Sequence, residues 1–170
     1  MKIYFEGRAR VLGDDVNTDY IILSSRKKET LDPQGLKAYL LETLDPSFAR
    51  SVQPDDLLIA GRNFGCGSAM EIAVSVVLAS GIKAVLAQSF ARTFYRNAIN
   101  NSLVPVECDT SGILEGDRLS VSLAEGAILV KNETQRNEFV ASPFPKIILD
   151  ILAAGGIVPF FKVHHNFVAE

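Results

Sequence analysis

Apolar and polar residues partly alternate over residues 2–12, which predicts a strand with one buried face and a bulge at Gly7. Residues 13–19 (Gly-Asp-Asp-Val-Asn-Thr-Asp) form an acidic, turn-rich loop. The short apolar run Tyr20-Ile21-Ile22-Leu23 follows, then a polar, basic and exposed stretch over 24–30. Asp32-Pro33 opens a predicted helix through Leu36, Tyr39, Leu40 and Leu44, with proline suited to the first turn. Leu57-Leu58-Ile59-Ala60 is a short continuous apolar run and predicts a buried strand. A glycine-rich loop over 61–68 feeds a helix over 69–79 that is apolar nearly all round, so it is expected to be buried. Ser80-Gly81 stops it. A strand over 82–87, a helix over 90–100 and a strand over 103–106 follow, with Pro105 marking a sheet edge or a strand end. Beyond Asp109, glycines punctuate short strands over 118–123 and 127–131, and Phe139-Val140 closes this β-rich part. A last helix over 144–154 ends at Gly155-Gly156. With no repeat or linker, the pattern predicts one compact α/β domain over residues 1–170, with a mixed sheet or barrel and flanking helices.

Composition changes this picture only by exclusion. The chain has 170 residues, 48% of them apolar and 22% charged, with a formal charge of −3. Disorder is excluded, and a chain of this size buries roughly 70% of its unfolded surface without covalent staples. No apolar run approaches the ~20 residues of a membrane helix. The N-terminus becomes charged too early for a signal peptide, so a cytoplasmic location is expected. Mild acidity offers nothing to nucleic acid. Cys66 and Cys108 are the only thiols and His164 and His165 the only imidazoles, the latter expected in a tail. A disulfide framework, a four-thiolate cluster, a zinc site and a histidine triad are therefore all disfavoured. Any acid–base chemistry rests on hydroxyls and carboxylates, or on groups from a partner.

The loop over 61–68 is the informative feature. Its glycines permit close backbone approach to a ligand, and a helix starting near Ser68 would aim free N–H groups at a carboxylate, phosphate or alkoxide. Ser68 also fits an N-cap, with Glu71 three residues on completing a capping box, and by local sequence alone this plain reading is the stronger one. Gly65-x-Gly67 lacks the third glycine of a dinucleotide fingerprint and the Lys-Ser/Thr of a phosphate-binding loop.

Asn63-Phe64-Gly65-Cys66-Gly67-Ser68, with Ser89-Phe90-Ala91-Arg92 and Phe94-Tyr95-Arg96-Asn97-Ala98-Ile99-Asn100, resembles the small subunit of 3-isopropylmalate dehydratase, which is similar to the swivel domain of aconitase and homoaconitase. Residues 13–19 and Ala153-Ala154-Gly155-Gly156 match the same family in order along the chain. The resemblance implies a swivelling β/β/α-type domain that acts as half of a hydro-lyase. It implies no cofactor on this chain, a large-subunit partner carrying a [4Fe–4S] cluster, and a small hydroxy-acid substrate. It implies that Ser68 is the base that takes a proton from carbon, and that Asp19 pairs with a histidine of the large subunit. Arg92 and Arg96 read as structural or interface groups, and Cys66 as packing.

The chain departs from the family at two places. The usual Gly-Ser-Ser-Arg-Glu-His is here Gly67-Ser68-Ala69-Met70-Glu71-Ile72, so the arginine that clasps a substrate carboxylate is a methionine, which offers neither charge nor donor. The substrate-reading loop, usually Pro-Gly-x-Tyr-Leu, carries Arg26, Lys27 and Lys28 instead. The expected substrate-binding set is therefore Gly67, Ala69 and Met70 with one of Arg26, Lys27 and Lys28 as a relocated cation. Arg26 is the first choice because a guanidinium grips a carboxylate with two bonds. Isopropylmalate is the leading substrate. A paralogue acting on homoaconitate or dimethylmalate, or a noncatalytic binding or assembly subunit, is the alternative.

Overall fold

The computed structural model describes residues 3–164. Strand β1 (Ile3–Val11) leads into a loop and a single helical turn, α1 (Thr18–Ile21), whose N-cap Asn17 accepts from the Tyr20 N–H. A 3-10 turn over Ser24–Lys28 follows, then α2 (Pro33–Leu36), capped by the Asp32 carboxylate, and α3 (Phe48–Ser51). Next come β2 (Leu57–Ala60), α4 (Glu71–Ala79), β3 (Ala84–Ala87), α5 (Arg92–Asn100) and β4 (Val104–Glu107). The meander β5 (Arg118–Ala124), β6 (Ala127–Asn132) and β7 (Asn137–Ala141) precedes α6 (Lys146–Ala153) and α7 (Ile157–His164). The strands form a seven-stranded sheet of order β4-β3-β2-β1-β5-β6-β7. The expected α/β class, with a mixed sheet and flanking helices, is what the chain adopts.

β1 joins the two halves. Ile3 to Arg8 pair antiparallel with β5, and Ala9 to Val11 then pair in parallel with β2. The ladder runs unbroken through Gly7, opposite Leu119, so the expected bulge does not form. Gly7 serves a different need: a Cβ there would collide with the carbonyl oxygen of Asp55, on the turn leading into β2. The period-2 rule divides β2 between two cores. Leu58 and Ala60 join Phe64, Val74 and Val77 on one side, while Leu57 and Ile59 join Ala9, Leu86 and Val121 on the other. Both faces are covered, as parallel strands require.

Two predicted elements differ. The helix expected from Pro33 through Leu44 is one α-turn and a separate 3-10 turn over Lys37–Tyr39, broken where Leu41 takes φ +57°. Leu36, Leu40 and Leu41 are all fully buried, and inserting three leucines into one core outweighs helical propensity. The expected tail after Gly156 is instead α7, bent 99° from α6. Phe160 is fully buried there against Ile99 and Ile151, and His164 stacks on it at 4.6 Å. Gly156, at φ +117°, lies against the Asn100 carbonyl, where a side chain has no room. His165 lies outside the described residues. Pro105 sits in the edge strand β4. No single helix among the described residues is long and apolar enough to cross a membrane.

Candidate active site

The glycine loop leaves the C-terminal end of β2 and is sewn between two other segments. Phe64 N–H donates to Ser89 O (3.0 Å) and Ala91 N–H to Phe64 O (2.9 Å) on one side. On the other, Gly65 N–H donates to Val16 O (2.8 Å) and Thr18 N–H to Cys66 O (2.9 Å). Beneath the loop, Phe64 meets Phe94 edge-on with centroids 5.0 Å apart. Gly65, at φ +77°, passes so close to the Phe94 ring that a Cβ would overlap it. Asn63, also left-handed at φ +60°, is held by its side-chain donation to Asp15 Oδ1 (2.8 Å).

Ser68 does not cap α4. The helix begins at Glu71 with Met70 as its N-cap and no side-chain cap bond, so the Ser68–Glu71 capping box is absent. The cause is tertiary. Gly67 turns the chain at φ +91°, and Thr18 Oγ1 donates to the Ser68 carbonyl at 2.9 Å, holding Ser68 outside the helix. Ser68 is exposed, and its hydroxyl makes no hydrogen bond to any described residue. Gly67 and Ala69 flank it, both exposed, while Met70 is buried.

Asp19, next to Thr18, accepts from both the hydroxyl and the backbone N–H of Ser24, the latter at 3.0 Å. The Ser24 hydroxyl, then its N–H, then the nearby Lys27 charge hold the Asp19 carboxyl below the usual range, outweighing desolvation, so it is ionised at neutral pH. The Ser24 hydroxyl also lies 3.4 Å from Met70 Sδ, and Lys27 Nζ lies 3.7 Å from the same sulfur. The structure thus gathers Asp19, Ser24, Lys27 and Met70 beside the Ser68 loop. Ser24 and Thr18 were not singled out from sequence. Thr18 bonds a carbonyl fifty residues away, and nothing in the local pattern around either residue signals its role.

Arg26 is placed elsewhere. Its fork grips Glu42 with bonds of 2.8 and 2.9 Å, its third nitrogen reaches Glu29 at 2.7 Å, and its plane lies 3.8 Å over the Tyr39 ring. Its hydrogen bonds hold it among those three side chains, so the geometry that made it the first choice for the loop mouth is used within the protein. Lys28 is exposed. Arg92 and Arg96 are exposed on α5. Cys66 is half-buried with its Sγ 3.6 Å from the Asp15 carbonyl, and burial pushes the Cys108 thiol up to about 12. Among the described residues, no three histidine, cysteine, aspartate or glutamate side chains converge to hold a metal ion.

Residues 25–111 match the family model of the aconitase C-terminal domain. The 3-isopropylmalate dehydratase small subunit of Caldicellulosiruptor saccharolyticus is 45% identical over 160 residues, covering 93% of this chain and 91% of that protein. The methanogen homoaconitase small subunit of Methanocaldococcus jannaschii is 42% identical over 158 residues, covering 92% and 91%. A crystal structure of 3-isopropylmalate dehydratase from Methanocaldococcus jannaschii superposes with a TM-score of 0.88 at 39% identity, covering 94% of each chain. Fold and loop together define an aconitase-type C-terminal domain. Within that class, the chain belongs to the family of 3-isopropylmalate dehydratase small subunits, which act with a large subunit as a hydro-lyase.

Proposed function

We propose that this chain is the small subunit of a heteromeric hydro-lyase that interconverts 2- and 3-isopropylmalate by dehydration and rehydration, as in leucine biosynthesis. Ser68 is its base. The observation that carries this reading is the Ser68 side chain: an exposed hydroxyl with no partner among the described residues, ahead of a helix whose first turn has no side-chain cap. Serine is a weak base in water. The unsatisfied N–H groups and positive dipole end of α4 lower the cost of its alkoxide once the site is closed from solvent. Ser68, as its alkoxide, takes the proton from the carbon beside a carboxylate and becomes the hydroxyl, while the carbon–oxygen bond on the neighbouring carbon breaks and the hydroxide leaves as water on protonation by an acid of the large subunit. Re-addition of water in the other orientation gives the isomer. Gly67 and Ala69 leave room for substrate beside the hydroxyl, and in this reading Asp19, ionised and bonded by Ser24, pairs with a cationic histidine of the large subunit. The two separated thiols here do not fit an iron–sulfur cluster. A [4Fe–4S] cluster on the large subunit would supply the Lewis acid.

A second substrate is favoured by one specific feature. Met70 removes a cation from the loop, and the relatives include a homoaconitase small subunit. The test is co-expression with the cluster-bearing large subunit and a screen of isopropylmalate, homoaconitate and dimethylmalate, following absorbance of the unsaturated intermediate. Turnover of isopropylmalate above the others is expected. Preference for another acid reassigns the substrate, and no turnover of any of them overturns the enzymatic reading.

A further inference from the structure

Eight of the described lysines and arginines have an evident role. Arg8, Arg10, Arg26, Arg62, Lys83, Arg118, Lys131 and Lys146 each pair with a carboxylate. The described lysines and arginines without such a pair are exposed to water, except one. Lys27 is partly buried, and no carboxylate among the described residues lies within ion-pair distance of it. The hydrogen-bond partner of its ammonium is the thioether of Met70, at 3.7 Å. Thioether sulfur is a weak acceptor and carries no charge. An ammonium on such a partner keeps donors free for an anion that approaches the loop.

The surroundings say where that anion would sit. Met70 is the N-cap of α4, two residues from Ser68. Asp19, whose carboxyl is lowered in part by the Lys27 charge, is already bonded twice by Ser24. Lys27 is therefore aligned with the loop by Met70, while Asp19 is held for another contact.

We propose that Lys27 is the specificity-determining cation of this site, and that its ammonium, steered by the Met70 sulfur, binds one carboxylate of the hydroxy-acid substrate. The inference rests on the functional reading above and adds a coupling to it. Lys27 and residue 70 share one charge position, so that position holds a single cation. An arginine at 70 would set a guanidinium against the Lys27 ammonium in a partly buried place, where like charges repel more than in open water. Met70→Arg alone is then harmful rather than restorative, and tolerable only when Lys27 is neutral.

Two readouts test this in the complex with the large subunit. In steady-state kinetics, Lys27→Ala should raise KM for the acid that the wild type turns over by about 10- to 100-fold, the loss expected for a charge-assisted bond. The change in kcat should be smaller, and Lys27→Arg should recover most of the loss. An unchanged KM in Lys27→Ala, or an effect carried by Lys28→Ala instead, overturns the proposal. The second readout needs no turnover: thermal midpoints of Met70→Arg, Lys27→Met and the double variant. The midpoint lost in Met70→Arg should be at least half recovered when Lys27→Met is added. A double variant no more stable than Met70→Arg overturns the coupling. A wild-type complex that turns over no hydroxy acid counts against the functional reading, while the stability cycle still decides the charge pairing.

Discussion

Replacing Ser68 by alanine separates a cap from a base. Had Ser68 capped α4, its loss would cost about 1 kcal/mol. For a chain of this length that is roughly a 2–4 °C drop in Tm. In the structure the helix starts at Glu71, and the Ser68 hydroxyl bonds no described residue. The bond that anchors this residue, Thr18 Oγ1 to its carbonyl at 2.9 Å, belongs to the backbone and survives the substitution. An exposed side chain without partners contributes within about 0.5 kcal/mol, so Tm should move by less than about 2 °C. Removing a general base costs typically 10²- to 10⁴-fold in rate, roughly 3–5 kcal/mol of barrier. The two numbers point in opposite directions for the two roles. The assay pairs calorimetry of the small subunit with turnover of the reconstituted complex. A Tm within 2 °C of wild type, with kcat down at least 100-fold, is expected. A kcat within a few-fold of wild type refutes the base assignment. A Tm several degrees lower refutes the geometry from which the assignment was argued.

Asp56 is buried and accepts from Arg8 (2.9 Å), Arg10 (3.4 Å) and the Gln53 N–H (2.9 Å), so Asp56→Ala should destabilise by about 3–5 kcal/mol in denaturant titration. Burial pushes this carboxyl up, but the Arg8 bond, the Gln53 N–H and Arg10 outweigh it and hold it below the ordinary range. Its stabilisation is therefore full above the unfolded value near 4 and lost as pH falls through the lower folded one. Between about pH 5 and pH 2 the variant's stability should fall less steeply than the wild type's, and parallel curves would contradict this. Gly65→Ala combines a left-handed backbone with overlap on Phe94, so a loss of about 2–5 kcal/mol is expected. An unchanged urea midpoint would show that the loop is less tightly seated on that ring. The isolated chain, incubated with iron and sulfide, should develop no cluster spectrum, because Cys66 and Cys108 do not converge with other ligands. A stable cluster spectrum on the chain alone would refute that ligand argument.

Local patterning determined much of this protein. Leu57-Leu58-Ile59-Ala60 reads as a strand buried on both faces because every residue is apolar and the run is too short for a helix. The stop at Ser80-Gly81 is equally plain, since Gly81 takes φ +88°. The loop over 61–68 stands out in the sequence by its glycines, and the family motifs single out Ser68 within it. Its neighbours in space were not legible. Whether Ser68 caps a helix depends on a hydrogen bond from Thr18, fifty residues earlier, and a capping box in the sequence cannot register that competitor. The fate of three consecutive cations, Arg26, Lys27 and Lys28, was equally undecided. Glu42 lies sixteen residues beyond Arg26 and draws that side chain to itself, while Met70, on another element, receives Lys27. Only tertiary structure decides such pairings, because a hydrogen bond or ion pair acts over a few ångströms in space whatever the separation along the chain. The helix expected over 33–44 and the missed α7 follow the same logic: burying Leu36, Leu40, Leu41 and Phe160 against distant partners stabilises more than local propensity opposes.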